Sequence, residues 1–324
     1  MSNVIPMRGH REPLRAFEES LGAKDPKTAR AYLTIVENLV DWLATRPGGT
    51  PFRPEIITET AVKGYMDHLE NEGKAPRTRS KALTAIRRFC RWAQDEGHLR
   101  RNPAGQVARP TVAQMAPKEL SEDQRFALKN VIERVDSKRL AAIFALGYWA
   151  GLRVSEVAHL QLAAVHVNQR AGWLTVVDSK GGKTRTIDLS NEARRRLYEY
   201  LNENTDARDI RDPDSRFVFT SQRAAWLRQQ DRPDNLSDRG IEHLWSRLKA
   251  AATVDEWELV QGIEFHDLRH DFAHRARSAG WALEELAVYL GHQTKDGAPA
   301  IATTVRYTLP SRKQLMERIS ALRG

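Results

Sequence analysis

Between positions 11 and 100 the apolar residues recur at three- and four-residue spacing, a period that only helices satisfy. Leu14, Phe17 and Leu21 share one face of a first helix. Asp25-Pro26 opens a second, in which Tyr32, Ile35, Val36, Leu39, Val40, Trp42 and Leu43 keep the same period. The turn-rich stretch TRPGGTPFRP ends it. Thr58 is a cap for a third helix carrying Val62, Tyr65, Met66 and Leu69, closed by Glu72-Gly73. A fourth runs from about Pro76 to Glu96 with Leu83, Ile86, Phe89, Cys90 and Ala93 inside.

The outer side of the fourth helix carries Arg77, Arg79, Lys81, Arg87, Arg88 and Arg91, with Lys74 just ahead of it. Most charged helix faces are simply solvated. Here bases far outnumber acids, and Thr78 and Ser80 add hydroxyl donors, so the face is expected to contact nucleic-acid phosphates. The chain as a whole has a net charge of +9, and its first 110 residues hold 19 Lys and Arg against 13 Asp and Glu. A basic surplus of this kind favours a polyanionic partner. Membrane association is the competing reading, but no stretch approaches the roughly 20 apolar residues of a spanning helix. MSNVIPMRGHREPLR lacks an apolar signal core, so cytoplasmic residence is expected. The single cysteine, Cys90, excludes an intramolecular disulfide and falls on an apolar stripe, where it reads as core.

RRNPAGQVARPTVAQMAPKEL breaks the helical period and reads as a linker. The expected division is a helical domain over 1–108, a linker over 109–117 and a second domain over 118–324. In the second, helices near 121–135 and 138–150 precede two β-rich runs, WLTVVD and RTIDL, which flank SKGGKT as a hairpin. Helices return near 191–204, 238–251, 266–279 and 283–290. The polar stretch 223–240 reads as a surface loop. The fold class is therefore mainly α with a small β-sheet.

No paired cysteines, HExxH or carboxylate cluster offers a metal site, and GGKT lacks the glycine spacing of a phosphate-binding loop. No cofactor is expected. What the second domain offers is scattered Arg, His, Lys and Tyr. AGLRVSEV at 150–157, SKGGKTRTIDL at 179–189, HDLRH at 266–270, LGH at 290–292 and TTVRYT at 303–308 occur in that order. Together they resemble the motifs of the tyrosine recombinase (phage integrase) family. Upstream, the helical stretch ending in GHLRRNPAGQVARP is similar to that family's SAM-like core-binding domain, so the resemblance covers nearly the whole chain.

The resemblance implies a DNA strand-transferase. Tyr307 would attack the scissile phosphate and form a 3′-phosphotyrosine, freeing a 5′-hydroxyl. Arg153 and Arg269 would hold the non-bridging oxygens, for which planar guanidinium donors are suited. Lys180 would protonate the leaving oxygen, His266 would take or relay the tyrosine proton, and His292 would donate to the phosphate. Glu156 would orient an arginine or histidine. His270 supports the site; together with His274 it otherwise reads as packing. Lys183 and Arg185 are expected on the DNA backbone, and Lys183 remains an alternative to Lys180. Tyr148 and Tyr289 compete with Tyr307 but fall on apolar stripes.

The run from His292 to Tyr307 is about six residues longer than the family's usual connection. With Gly297 and Pro299 it reads as a loop that governs access of Tyr307 to the phosphate. After Tyr307, Leu315, Met316, Ile319 and Leu322 mark an amphipathic tail helix. In the family such a tail commonly docks on a neighbour. The implied partners are double-stranded DNA bearing inverted-repeat sites, a homo-tetramer on two duplexes, and an accessory protein. The departure near Tyr307 leans the expected role toward a mobile element, with Xer-like dimer resolution as the alternative. A relative that binds DNA without cutting it, and a relaxing enzyme of the type IB topoisomerase kind, are the other readings.

Overall fold

Asp25 and Thr58 cap the helices that follow them: their side chains accept the N–H groups of Thr28 and Ala61. In the computed structural model, residues 11–22, 25–111, 119–177, 184–203, 211–294, 296–305 and 307–308 are described. The chain divides into two compact units, residues 1–114 and 115–324.

The first unit contains α1 (Arg11–Ser20), α2 (Pro26–Ala44), α3 (Glu59–Asn71) and α4 (Pro76–Asp95). Their apolar stripes meet in one core, in which the rings of Phe17 and Phe89 pack edge to face with centroids 5.1 Å apart. Cys90 lies inside it, and burial pushes its thiol up to about 12, as inert core chemistry requires. The start of the aperiodic stretch differs from a free linker. Ala104 and Val107 are buried on the core, and the Arg87 guanidinium donates to the carbonyls of Ala104, Gly105 and Val107.

The second unit is mostly helical around a small antiparallel sheet, the expected class. It begins with α5 (Glu122–Val135) and α6 (Lys138–Tyr148). Helix α6 is buried on nearly every side, as its unbroken apolar run AAIFALGY demands. A short α7 (Val154–Ala158) follows. The expected hairpin is present as β2 (Gly172–Val177) and β3 (Thr184–Asp188), with Leu174 opposite Ile187. A third strand, β1 (Val165–Val167), which the sequence reading missed, pairs with β2. Leu174, Val176 and Ile187 face the core, while Trp173 and Val177 face outward.

The remaining helices are α8 (Asn191–Asn202), α9 (Ala224–Gln229), α10 (Asp238–Lys249), α11 (Val254–Val260), α12 (Phe265–Ser278), α13 (Leu283–Leu290) and α14 (Ile301–Val305). Stretch 223–240 is not the plain loop expected of it. It contains α9, and Arg228 there pairs with Asp212 and Asp234. Lys180, Lys183 and the tail after Thr308 lie outside the described residues. Among the described residues no helix is long and apolar enough to cross a membrane.

Candidate active site

Helix α12 packs against α6, and its Arg269 reaches the turn that joins α6 to α7 to build the centre of the site. Arg269, on α12, is fully buried. Its guanidinium donates to Gly151 O at 2.7 Å and to Leu290 O at 2.6 Å, tying the turn after α6 to the end of α13. Arg153 sits at the cap position of α7, where both its backbone N–H and its guanidinium donate to the Glu156 carboxylate. Glu156 also lies 3.5 Å from Arg269. Burial alone would raise the Glu156 pKa, but hydrogen bonds from Arg185 and the charges of Arg269, Arg185 and Arg153 hold it down at about 2. Burial and the neighbouring Arg153 pull Arg269 down to about 9, which still leaves it charged at neutral pH.

Arg185 corrects the sequence reading. Expected on the DNA backbone, it is instead spent inside the protein. Two of its nitrogens donate to the two oxygens of Glu156 at 2.9 and 3.1 Å, and its Nε donates to Tyr289 O at 2.7 Å. Strand β3 points its side chain inward over Gly291, so it braces the arginine cluster.

His292 follows α13 and is buried. Its Nε2 lies 3.1 Å from an Arg269 nitrogen and its Nδ1 3.0 Å from Thr304 Oγ1. Burial and the charges of Arg269, Arg153 and Arg185 hold its pKa down at about 3, so the imidazole is neutral.

Tyr307 comes to the same place. Its hydroxyl lies 3.3 Å from His266 Nε2, its ring stacks on His270 with centroids 4.2 Å apart, and the His292 ring is 4.8 Å away. Burial and Arg269 also lower the His266 pKa, leaving a neutral ring able to accept a phenol proton. His270 is therefore part of the wall around Tyr307, whereas His274 is buried one turn further along, with Nδ1 3.8 Å from Glu119. Tyr148 is buried core, and Tyr289 lies half-buried against Phe272.

The run between His292 and Tyr307, expected as a loop governing access of Tyr307, is in part ordered by main-chain bonds and a short helix. Ala300 N–H donates to His292 O at 2.7 Å, Thr294 N–H donates to Ala298 O at 2.8 Å, and Gln293 bridges Pro299. The extra residues are thus pinched off as a side excursion. From Ala300 the chain enters α14, and Tyr307 N–H donates to Thr304 O at 2.9 Å.

In the first unit, Lys74, Arg77, Thr78, Lys81, Arg88 and Arg91 are exposed along α4 and its approach. Two other expected phosphate contacts are engaged within the protein. Arg87 holds the 104–107 segment, and Arg79, only 13% exposed, pairs with Glu70 at 2.8 Å.

Comparison with known proteins agrees with this geometry. The family model described as "Phage integrase family" matches residues 118–313, and "Phage integrase, N-terminal SAM-like domain" matches residues 14–97. Tyrosine recombinase XerD of Caulobacter vibrioides is 31% identical over 76% of this chain and 75% of its own length. Tyrosine recombinase XerC of Pelobacter propionicus is 29% identical over 94% of this chain and 93% of its own. Among solved structures, a lambda integrase(75–356) dimer bound to a COC′ core site superposes with a TM-score of 0.66 at 17% identity, covering 92% of this chain and 94% of that one. The Tn1549 transposon integrase in complex with circular intermediate DNA gives 0.64 at 16% identity, covering 95% and 98%. At these identities the two structures speak to the fold alone.

Proposed function

This chain belongs to the phage integrase family of DNA strand-transferring enzymes, and on that premise we propose that it is a site-specific recombinase using Tyr307 as nucleophile. The observation that carries the reading is the Tyr307 hydroxyl, 3.3 Å from His266 Nε2 and in one cluster with Arg269, Arg153 and His292. Tyr307 attacks the scissile phosphorus as His266 takes its proton. The phosphate passes to the tyrosine oxygen, and a 5′-hydroxyl leaves with a proton from Lys180. Arg153, Arg269 and His292 stabilise the charge that gathers on the non-bridging oxygens. Rejoining reverses the step and conserves the bond energy in the phosphotyrosine.

The exposed basic face of α4 grips the backbone of a duplex carrying inverted-repeat sites, Lys183 adds a phosphate contact, and two pairs of subunits join two duplexes as a tetramer in the cytoplasm. The longer run before Tyr307 favours service to a mobile element, with an accessory protein. The XerC and XerD relatives favour the second reading, resolution of chromosome or plasmid dimers.

The test is a nicked duplex built on a site that the full-length protein selects from a random pool. Wild type should form a covalent adduct and recombinant product, and Tyr307→Phe should bind without either. No adduct from wild type would make the chain a DNA-binding relative; an adduct without strand exchange would make it a relaxing enzyme.

A further inference from the structure

We propose that the Thr304 hydroxyl is a positioning group that allows His292 to change from an acceptor of Arg269 into a donor to the scissile phosphate. The proposal deepens the functional reading above and rests on His292 meeting that phosphate. Thr304 is fully buried on α14, so its hydroxyl must be paired. It lies 3.0 Å from His292 Nδ1 and 3.2 Å from Ala300 O.

A guanidinium has no acceptor, so the 3.1 Å contact makes His292 Nε2 the acceptor. The neutral ring then carries its hydrogen on Nδ1 and donates to Thr304, whose own hydrogen goes to Ala300 O. The chain of donors therefore runs one way, from Arg269 through His292 and Thr304 to Ala300.

A phosphate oxygen reverses the requirement at Nε2, because it too only accepts. Protonating the ring is disfavoured by burial and by the charges of Arg269, Arg153 and Arg185, so the remaining route is the other neutral tautomer. The ring gives up the Nδ1 proton to solvent and takes one up at Nε2, leaving the proton count unchanged. Nδ1 is then bare and needs a donor. Thr304 supplies it by turning its O–H from Ala300 O to Nδ1. Ala300 O is not orphaned by that rotation, since the Thr304 backbone N–H already donates to it at 3.1 Å. Valine would fill the same volume and could serve neither tautomer.

Position adds the second half of the argument. The carbonyl of this same residue accepts the Tyr307 N–H at 2.9 Å. Thr304 thereby joins the nucleophile's backbone to the phosphate-facing histidine through a single residue, so seating α14 sets both.

The test compares Thr304→Val and Thr304→Ser in the full chain. On the nicked duplex, Thr304→Val should cleave about tenfold or more slowly in single turnover, as losing one hydrogen bond predicts, with DNA affinity unchanged. Thr304→Ser should restore the rate to within about threefold. Equal cleavage by wild type and Thr304→Val overturns the proposal.

Nitrogen-15 spectra of the histidines, with His292 assigned by His292→Gln, provide a readout that packing does not move. In wild type, Nδ1–H should give way to Nε2–H on adding millimolar sulfate. In Thr304→Val that change should be lost. An unchanged tautomer in wild type with anion bound overturns the proposal, whether or not the valine variant folds. Because this arm uses only sulfate, it still reads out if wild type makes no adduct, an outcome that would sink the functional reading instead.

Discussion

Gly291→Ala should cost far more than Gly280→Ala, and the difference should measure the brace that Arg185 provides. Both glycines sit in the left-handed region, at φ +69° and +95°, so both substitutions pay a backbone penalty of about 1 kcal/mol. They differ in what a new Cβ meets. At Gly280 there is nothing within 4 Å, whereas at Gly291 the Cβ would lie 2.8 Å from an Arg185 nitrogen and 3.1 Å from its Cζ. Arg185 must then move, and it holds two hydrogen bonds to Glu156 and one to Tyr289 O. Bonds to charged groups contribute about 1.5–3 kcal/mol each, and part is recovered because Glu156 keeps Arg153. A further loss of ~2–4 kcal/mol is therefore expected at Gly291 alone. Urea unfolding of the full chain, read on the transition that both variants move, gives the stability difference. Cleavage of the nicked duplex should fall about tenfold or more for Gly291→Ala and stay near wild type for Gly280→Ala. Equal losses in the two variants would refute the idea that Arg185 braces the cluster.

Replacing residues 294–298 with a two-residue turn should leave cleavage within about threefold of wild type, because the main-chain bond from Ala300 to His292 already closes that excursion; a large loss would show that it positions Tyr307. Acid should destabilise the second unit through its neutral histidines. Below pH 6.5 the unfolded chain binds a proton that His292, held at about 3, refuses, so stability falls as the pH drops through that window by ~1.4 kcal/mol per unit. His292→Gln should flatten the decline between pH 6.5 and 5 in urea unfolding, and an unchanged slope counts against burial of a neutral ring. On α4, Arg88→Ala should weaken duplex binding and lower the salt slope by about one, whereas Arg87→Ala should lower the melting temperature with the slope unchanged. The reverse pattern would mean that Arg87 faces DNA.

The helices that dominate both units were legible because each is long enough for its apolar period to show; Asp25 and Thr58 announced their starts as well. The elements that escaped are short. β1 has three residues, and α7 and α14 have five each, too few to reveal a period. Arg153, His266, Arg269, His292 and Tyr307 were legible as a set because their motifs occur in order, and the fold brings these five together. That Arg79, Arg87 and Arg185 have partners within the protein was not legible, for one reason. A sequence gives an arginine's charge but not the carbonyls and carboxylates that tertiary packing sets within its reach. Thr304 stood inside the quoted TTVRYT motif, yet nothing local distinguishes a threonine that packs from one that holds a histidine.

The charge inside the second unit explains why such a site should bind an anion before any chemistry. Arg153, Arg185 and Arg269 share one carboxylate, Glu156, and the surrounding histidines are neutral. Buried charge is tolerated where it is paired, and here two positive charges are left over. Arg269 Nε is in addition a buried donor with no hydrogen-bond partner among the described residues. An anion supplies the missing charge, so its binding should stabilise the fold. At a concentration 100 times its Kd the gain is about 2.7 kcal/mol, read as a rise in melting temperature with sulfate over chloride at matched ionic strength. Arg153→Ala separates this from the general salting effect of sulfate. Arg153 is the most exposed of the three, and its loss relieves repulsion on Arg269 while Glu156 keeps two partners. The variant should therefore melt near wild type in chloride and lose most of the extra sulfate response. If both proteins respond alike, the surplus charge is solvated and the cluster is not an anion site.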